Sequence, residues 1–143
     1  MYFKPLGTRS PQSIKDQCAD IYLEYTKSTE VSTKTDTAEY WQRVSANFSN
    51  YYVSNGSLVL AIGSYSVSRE CGSAMLHNIV VKEAEQRKGI GRFLIERLER
   101  EIAIDGIRYV ELFAKNTVAA FSFYEAMKYQ RECMSSNYFY KEL

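Results

Sequence analysis

The stretch that decides the fold is VVKEAEQRKGIGRFLIERLE, residues 80–99. It opens with β-branched residues, passes through the charged, glycine-containing run QRKGIG at 86–91, and continues with apolar residues at Ile90, Leu94 and Leu98. A four-residue apolar spacing is typical of an amphipathic helix. The stretch therefore predicts a strand that feeds a helix through a glycine-containing junction.

This junction has the properties of an anion site. The first N–H groups of a helix have no intrahelical partner, and the aligned peptide dipoles place partial positive charge there. Glycines at positions 89 and 91 remove Cβ atoms that would hold an anion away from the backbone. Arg87, Lys88 and Arg92 add full positive charges beside it. The combination predicts a phosphate site, most naturally for a pyrophosphate.

Two common phosphate motifs do not explain the junction. The P-loop string G-x-x-x-x-G-K-[ST] is absent from the sequence. The dinucleotide fingerprint G-x-G-x-x-G would need a third glycine at the position of Leu94, and it would open a unit of parallel strands. Here a hairpin signal, Asn55-Gly56, comes before the junction instead.

Size and charge narrow the class of protein. The 143 residues predict a single domain over residues 1–143, long enough to bury a core. Hydrophobic residues make up 45% and charged residues 24%, which is ordinary for a globular protein. The formal net charge of +1 supplies no global field for nucleic acid or for an anionic membrane, so neither is expected as a partner.

The cysteines and the N-terminus indicate the compartment. Cys18, Cys71 and Cys133 are odd in number, widely separated and accompanied by a single histidine, His77. This pattern predicts neither a disulfide framework nor a metal site. The first residues lack the apolar stretch of a signal peptide, and no run approaches the ~20 apolar residues of a membrane span. We expect a cytoplasmic protein.

Periodicity and turn signals give the order of the elements. After a short strand near residues 2–6 come helix, helix, three strands, helix, strand, helix and two strands. The predicted helices begin at Ser10 and Ile90 and cover 37–48 and 118–127. The predicted strands cover 51–53, 58–62, 74–81 and 107–114, and a closing hairpin covers 129–133 and 138–141. Hairpin strands followed by a β-α-β crossover predict a mixed sheet covered by helices.

The junction in its context resembles a known family. The pattern Gln86-x-x-Gly89-x-Gly91, placed after LHNIVV and before AAFSFYEAMKY, is similar to that of the GCN5-related N-acetyltransferase (GNAT) family. The resemblance implies an α/β (α+β) fold with a mixed, mostly antiparallel sheet of about six to seven strands flanked by about four helices. It also implies an N-acetyltransferase that uses acetyl-coenzyme A and no metal.

The same resemblance implies which residues contact coenzyme A. The backbone of Ile79, Val80 and Val81 would pair with the pantetheine arm, and their N–H groups could polarise the thioester carbonyl. The implied pyrophosphate loop consists of Gln86, Arg87, Lys88, Gly89, Ile90 and Gly91, with Arg92 close by. At the next helix the family's asparagine matches Asn116 by type and Thr117 by spacing. Lys128, where the family commonly has glycine, predicts a differently shaped helix end.

Two catalytic roles follow from the resemblance. Tyr124 is expected to protonate the leaving thiolate, because a phenol with a pKa near 10 can donate to a thiolate whose conjugate acid lies around 8.5. The alternative is a buried packing tyrosine. His77 is a candidate general base, since its ordinary pKa near 6.5 suits proton acceptance. A structural histidine is the alternative, and Glu24 and Glu30 compete for the role of base.

The acceptor stays open at this point. It is expected to be a primary amine of a small molecule or peptide that attacks the thioester directly in a ternary complex. Aromatic side chains of the first helices and the late hairpin are candidates to surround it: Tyr22, Tyr25, Tyr40, Trp41 and Tyr138. A non-catalytic acyl-CoA sensor of the same fold is the main alternative. An enzyme acting on charged tRNA is disfavoured by the low net charge, and a homodimer is a family-level expectation.

Overall fold

The computed structural model describes residues 1–26 and 48–143. The strands are β1 Tyr2–Leu6, β2 Ser49–Ser54, β3 Val59–Ser68, β4 Ser73–Val81, β5 Tyr109–Phe113, β6 Gln130–Arg131 and β7 Tyr138–Glu142. The helices are α1 Gln12–Thr26, α2 Ile90–Ile104 and α3 Val118–Ala126, with a 3-10 turn at Glu83–Glu85. The predicted helix over 37–48 lies outside the described residues, apart from its last residue.

The strands form one seven-stranded sheet in the order β1-β2-β3-β4-β5-β7-β6. Every neighbouring pair is antiparallel except β4 and β5, which run parallel because α2 crosses over between them. The predicted mixed, mostly antiparallel sheet is therefore confirmed, as is the hairpin at Asn55-Gly56 between β2 and β3.

Helices cover the two faces of the sheet with separate apolar clusters. On one face, α2 contributes buried residues that pack with buried side chains of β5 and β7: Leu94, Ile95, Leu98, Ile102, Val110, Leu112 and Phe139. On the other face, Cys18 and Ile21 of α1 pack against Tyr52, Val59 and Ile62. The first cluster packs α2 against the sheet, and the glycine junction lies at the N-terminus of this helix.

The parallel pair β4–β5 is short, and this opens the sheet. Only Ser73–Met75 of β4 pair with Tyr109–Glu111 of β5. Within the described residues, β4 has no partner on its β5 side beyond that point, although it stays paired with β3 as far as Val81. The two strands thus separate into a cleft, and one edge of β4 borders this cleft without a partner strand among the described residues.

A bulge in β4 sets which side chains face each side of the sheet. His77 pairs with Ser64 and Val80 pairs with Ile62, so two residues of β4 stand opposite one residue of β3. Asn78 within the bulge has a positive φ of 52°. Because successive side chains of a strand alternate, the extra residue places His77 and Val80 on the same face, the one that α1 covers.

The end of α3 corrects one expectation. Lys128 has a φ of 72°, in the left-handed region. The Tyr129 N–H donates to the Tyr124 carbonyl at 3.0 Å, and the Lys128 N–H donates to the Glu125 carbonyl at 3.0 Å. This pattern is a Schellman motif, which a glycine would normally complete. The predicted difference in shape is wrong, because the lysine adopts the glycine-like conformation.

A half-buried charge cluster ties the C-terminal hairpin to α2. The Tyr129 hydroxyl donates to Glu99 Oε2 at 2.8 Å. Lys141 Nζ donates to both Glu99 oxygens, at 3.1 and 3.0 Å, and to the Met127 carbonyl at 3.0 Å. The Glu99 and Lys141 side chains are only 12% and 21% exposed. If one of them were removed, water would therefore replace few of the hydrogen bonds that the other loses.

We expect Glu99→Ala to lower the free energy of unfolding by about 2–3 kcal/mol, because it leaves the Lys141 ammonium and the Tyr129 hydroxyl without their acceptor. Urea denaturation followed by circular dichroism measures the loss. The control is Glu96→Ala in the same helix, which breaks a 3.8 Å pair with Arg92 between side chains that are 56% and 59% exposed. Its effect should stay below about 0.5 kcal/mol, and equal losses for both variants would contradict the prediction.

Candidate functional site

The loop between β4 and α2 is held to the end of the strand. Gln86 Nε2 donates to the Val81 carbonyl at 3.2 Å, so the side chain of the first motif residue fastens the loop to the strand edge. Arg87 and Gly89 then turn the backbone through the left-handed region, with φ values of 64° and 83°. Gly89 is the N-cap residue of α2.

The turn leaves a group of backbone donors without acceptors. The Phe93 N–H donates to the Gly89 carbonyl at 3.1 Å as α2 begins. Within the described part of the chain, the N–H groups of residues 87–92 meet no protein acceptor. Unpaired donors at a helix N-terminus, together with the helix dipole, favour an anion. The Lys88 ammonium, 3.1 Å from Glu85 Oε2, adds charge at the exposed side of the loop.

The two glycines of the loop serve different purposes. No atom lies within 4 Å of the position a Gly89 Cβ would take, so the space in front of this residue is open. A Cβ at Gly91 would stand 3.2 Å from Phe123 Cζ and 3.5 Å from Val81 Cγ2. The open space that the sequence predicts at both glycines exists at Gly89 only. Gly91 instead lets α2 pack closely against α3 and β4.

The strand residues predicted to face the cofactor offer their backbone. Ile79 and Val81 pack against the α2 side of the core, and Val80 packs against the α1 side. Their side chains are thus committed to packing. Val80 and Val81 pair with β3 on one edge, and their other edge borders the cleft between β4 and β5.

Thr117 and Asn116 differ in what they can offer. The Thr117 Oγ1 accepts from the Ala120 N–H at 3.1 Å and caps α3. Its hydroxyl is therefore already engaged by the helix. Asn116, the preceding residue, is exposed.

Tyr124 lies in the core on α3, 8% exposed. Its ring contacts those of Tyr129 and Phe139, each at a centroid distance of 5.8 Å. Burial raises the pKa of the Tyr124 hydroxyl, and the nearby Tyr25 of α1 raises it further. Among the described residues this hydroxyl has no hydrogen-bond partner, which is unusual for a buried polar group.

His77 faces α1, whereas Tyr124 belongs to the apolar cluster on the α2 side of the sheet. Its Nε2 is 3.0 Å from Ser66 Oγ, and its ring stacks on Phe48 with centroids 4.4 Å apart. Burial lowers the pKa of the imidazole, so the ring is neutral at pH 7. A neutral imidazole can accept a proton.

His77 also lines an open pocket of about 290 Å³ at the closed end of the β4–β5 cleft. The pocket is bounded by side chains of β3, β4 and β5 and by Phe48: Ser66, Val67, Ser68, Ser73, Met75 and Glu111. Sequence reasoning missed Glu111, although a single charge in the alternating strand YVELF could have drawn attention to it.

The other residues expected near an acceptor differ in burial, and some of them lie outside the described residues. Tyr22 packs against the α1-side cluster, Tyr25 is 41% exposed, and Tyr138 is half-buried on β7. Glu24 is exposed on α1. Glu30, Tyr40 and Trp41 lie outside the described residues.

The sequence matches the family model described as "Acetyltransferase (GNAT) domain" over residues 48–131, which is more than half of the chain. The chain belongs to the GNAT acetyltransferase family. The match begins just before β2 and ends in β6, so it includes the β4–α2 loop, Tyr124 and His77. No curated protein matches the sequence significantly.

Solved structures show the same fold. An aminoglycoside 6'-N-acetyltransferase complexed with coenzyme A matches with a TM-score of 0.76 and 18% identity, over 99% of this chain and 97% of that one. The PaiA N-acetyltransferase from Thermoplasma acidophilum in complex with coenzyme A matches with a TM-score of 0.73 and 14% identity over 100% of both. The ribosomal-protein-S18-alanine N-acetyltransferase from Escherichia coli matches at 0.69 and 19%, over 97% and 88%. At these identities the likeness concerns the GNAT fold.

Residues 1–26 and 48–143 contain neither a membrane-spanning helix nor a metal-binding cluster. None of the helices described there has the length and apolar character needed to cross a membrane. The same residues contain no group of three or more His, Cys, Asp and Glu side chains arranged to hold a metal ion.

Proposed function

We propose that this GNAT protein transfers the acetyl group of acetyl-coenzyme A to a primary amine of a small molecule or peptide. The observation that carries the proposal is the row of N–H groups at residues 87–92 that meet no acceptor among the described residues, with open space at Gly89 and the cleft edge of β4 beside them. A diphosphate followed by an amide-containing arm needs these two features side by side.

The residues present fit such a cofactor. Backbone donors of residues 87–92 suit the diphosphate, and Arg87 adds positive charge beside them. Lys88 and Arg92 are exposed cations of the same loop whose charges are partly offset by Glu85 and Glu96. The edge of β4 at Ile79, Val80 and Val81 that borders the cleft has no partner strand among the described residues and suits the amides of the pantetheine arm, with the Val81 carbonyl held by Gln86. Asn116 remains exposed for a further contact, whereas the Thr117 hydroxyl already caps α3.

The cofactor would supply an activated acetyl thioester, and the protein would manage two protons. In the net exchange, amine and thioester give amide and thiol, so the nitrogen loses one proton and the sulfur gains one. We assign the first to His77, which is neutral at pH 7 and accepts it at a ring nitrogen. We assign the second to the Tyr124 hydroxyl, because it meets no hydrogen-bond partner in residues 1–26 and 48–143 and its proton is available.

The test is acetyl-CoA-dependent thiol release measured against a panel of amines, polyamines, amino acids and peptides, with coenzyme A binding measured in parallel by calorimetry. Binding together with turnover of at least one amine is the expected result. Binding without turnover across the panel would instead favour the acyl-CoA sensor. The absence of binding would overturn both.

We expect Gly89→Ala to weaken coenzyme A binding about tenfold. A residue with a Cβ resists the left-handed φ of 83°, so the loop shifts and its N–H groups lose their common direction. Calorimetric titration with coenzyme A measures the change in dissociation constant.

Gly106→Ala is the matched control at the other end of α2. Gly106 has nearly the same φ, 81°, and likewise no atom within 4 Å of the Cβ position. Both variants should lose about 1 kcal/mol of stability, but only Gly89→Ala should lose affinity. Equal dissociation constants for the two variants would remove the loop from the proposed cofactor site.

A further inference from the structure

Glu111 occupies a position from which it can select the acceptor. It pairs in register with Met75, the last β4 residue that contacts β5 before the strands separate. Its side chain lines the same pocket as His77. Among the described residues that line this pocket it is the only ionised group, and no cation described here pairs with it.

Aromatic rings of β5 and β7 lie on the same face of the sheet as Glu111, next to the pocket residue itself. Residues directly opposite in a register share a face, so Glu111 and Tyr140 lie on the same side as Phe113 and Tyr138. The Phe113 and Tyr138 centroids are 5.4 Å apart, and those of Tyr138 and Tyr140 are 6.0 Å apart. Phe113 is 63% exposed and Tyr140 is 38% exposed, so ring faces are available to a ligand. Rings beside a carboxylate favour a cation.

The carboxylate does not suit the reacting nitrogen itself. An amine attacks only when it is neutral, whereas a neighbouring carboxylate stabilises the protonated form and so opposes the attack. Glu111 is therefore better suited to a second nitrogen that stays charged throughout the reaction. The pocket's described lining offers no Lys or Arg to an acceptor that carries a carboxylate, so such an acceptor would meet only repulsion.

We propose that the acceptor is a small diamine, whose non-reacting ammonium pairs with Glu111 beside Phe113 and Tyr138 while its second amine faces His77. This inference rests on the proposed function and adds the substrate class and a specificity-determining residue. A pocket of about 290 Å³ suits a short aliphatic chain rather than a folded partner.

The experiment compares three amines with the same five-carbon chain and different far ends: cadaverine with an ammonium, pentylamine with a methyl group and 5-aminovalerate with a carboxylate. The wild-type protein should favour cadaverine over pentylamine by about tenfold in kcat/KM, with 5-aminovalerate the poorest. Glu111→Gln should lower kcat/KM for cadaverine about tenfold, mainly through KM, because a charge-assisted contact is lost. Pentylamine should change by less than about twofold.

Glu142→Gln is the control, since Glu142 is exposed on the same sheet face opposite Tyr109 and outside the pocket lining. It removes the same charge and should leave the preference for cadaverine intact. Equal use of cadaverine and pentylamine, or a similar loss in both variants, would overturn the inference while acetyl transfer stands.

Calorimetric titration of cadaverine into the protein saturated with coenzyme A separates the two claims. Glu111-dependent binding without acetylation would contradict the proposed function and support the diamine pocket. If cadaverine does not bind, the diamine pocket is overturned, even if another amine is acetylated.

Discussion

Tyr124→Phe is expected to lower kcat for acetyl transfer by about 100-fold and to change the dissociation constant of coenzyme A by less than about twofold. The substitution removes one oxygen and, with it, the proton that we assign to the leaving sulfur. Because the hydroxyl has no partner among the described residues, the ring can keep its contacts with Tyr129 and Phe139. Steady-state kinetics at saturating amine, with calorimetry for the cofactor, give both quantities.

Tyr129→Phe is the control for this prediction. Tyr129 is a buried neighbour whose hydroxyl donates to Glu99 at 2.8 Å, so its loss should lower stability and leave kcat nearly unchanged. The pH dependence adds a second check. Burial raises the pKa of Tyr124, so the donor form is retained as pH rises past 10, the ordinary value for a tyrosine. A Tyr124→Phe variant with wild-type kcat would show that the sulfur takes its proton elsewhere.

The parts of the fold that follow from local pattern were predicted correctly. The β4–α2 junction combines a β-branched strand, two glycines and a four-residue apolar repeat, and each of these acts within a few residues. The same holds for the existence of the hairpin at Asn55-Gly56, which the turn residues indicate locally, although the register of β2 and β3 shifts between Val53 and Ser54. The mixed sheet followed from element order, because hairpin strands followed by a strand, a helix and a strand favour one parallel crossover, which α2 makes between β4 and β5.

The geometry of the cleft could not be predicted because it depends on contacts between distant segments. The end of pairing at Met75 and Glu111 is a relation between residues far apart in sequence. The bulge at Asn78 places His77 and Val80 on the face that α1 covers. The residues beside Asn78 give no sequence signal for a bulge. The need for glycine at position 91 depends on Val81 of β4 and on Phe123 of α3, and α3 follows only after α2 and β5.

Lys128 shows how a local rule can be overridden. The absence of glycine predicted a different helix end, yet two backbone hydrogen bonds hold the lysine at a φ of 72°. The cost of the left-handed conformation, about 1–2 kcal/mol, is offset by tertiary packing. Met127 and Tyr129 on either side are both buried, which fixes the direction of the chain as it leaves α3.

His77→Gln is expected to lower kcat by about 100-fold at pH 7.5, because glutamine can still hydrogen-bond with Ser66 but cannot accept a proton from the amine. The dissociation constant of coenzyme A should stay within about twofold, since the residue faces the α1 side of the sheet. The comparison of kcat with cofactor affinity therefore separates proton transfer from a general disturbance of β4.

The dependence of kcat on pH tests the assignment of His77 as the general base more directly. Burial lowers the pKa of His77, so its neutral, proton-accepting form persists below pH 6.5 and is lost only as pH falls further. The wild-type kcat should therefore decline on the acid side with a midpoint below 6.5, and His77→Gln should lack that decline. Glu24→Gln, which alters an exposed carboxylate on α1, should retain it. If the acid-side decline of kcat disappears in Glu24→Gln and persists in His77→Gln, the general base is Glu24 on α1 and not His77 on β4.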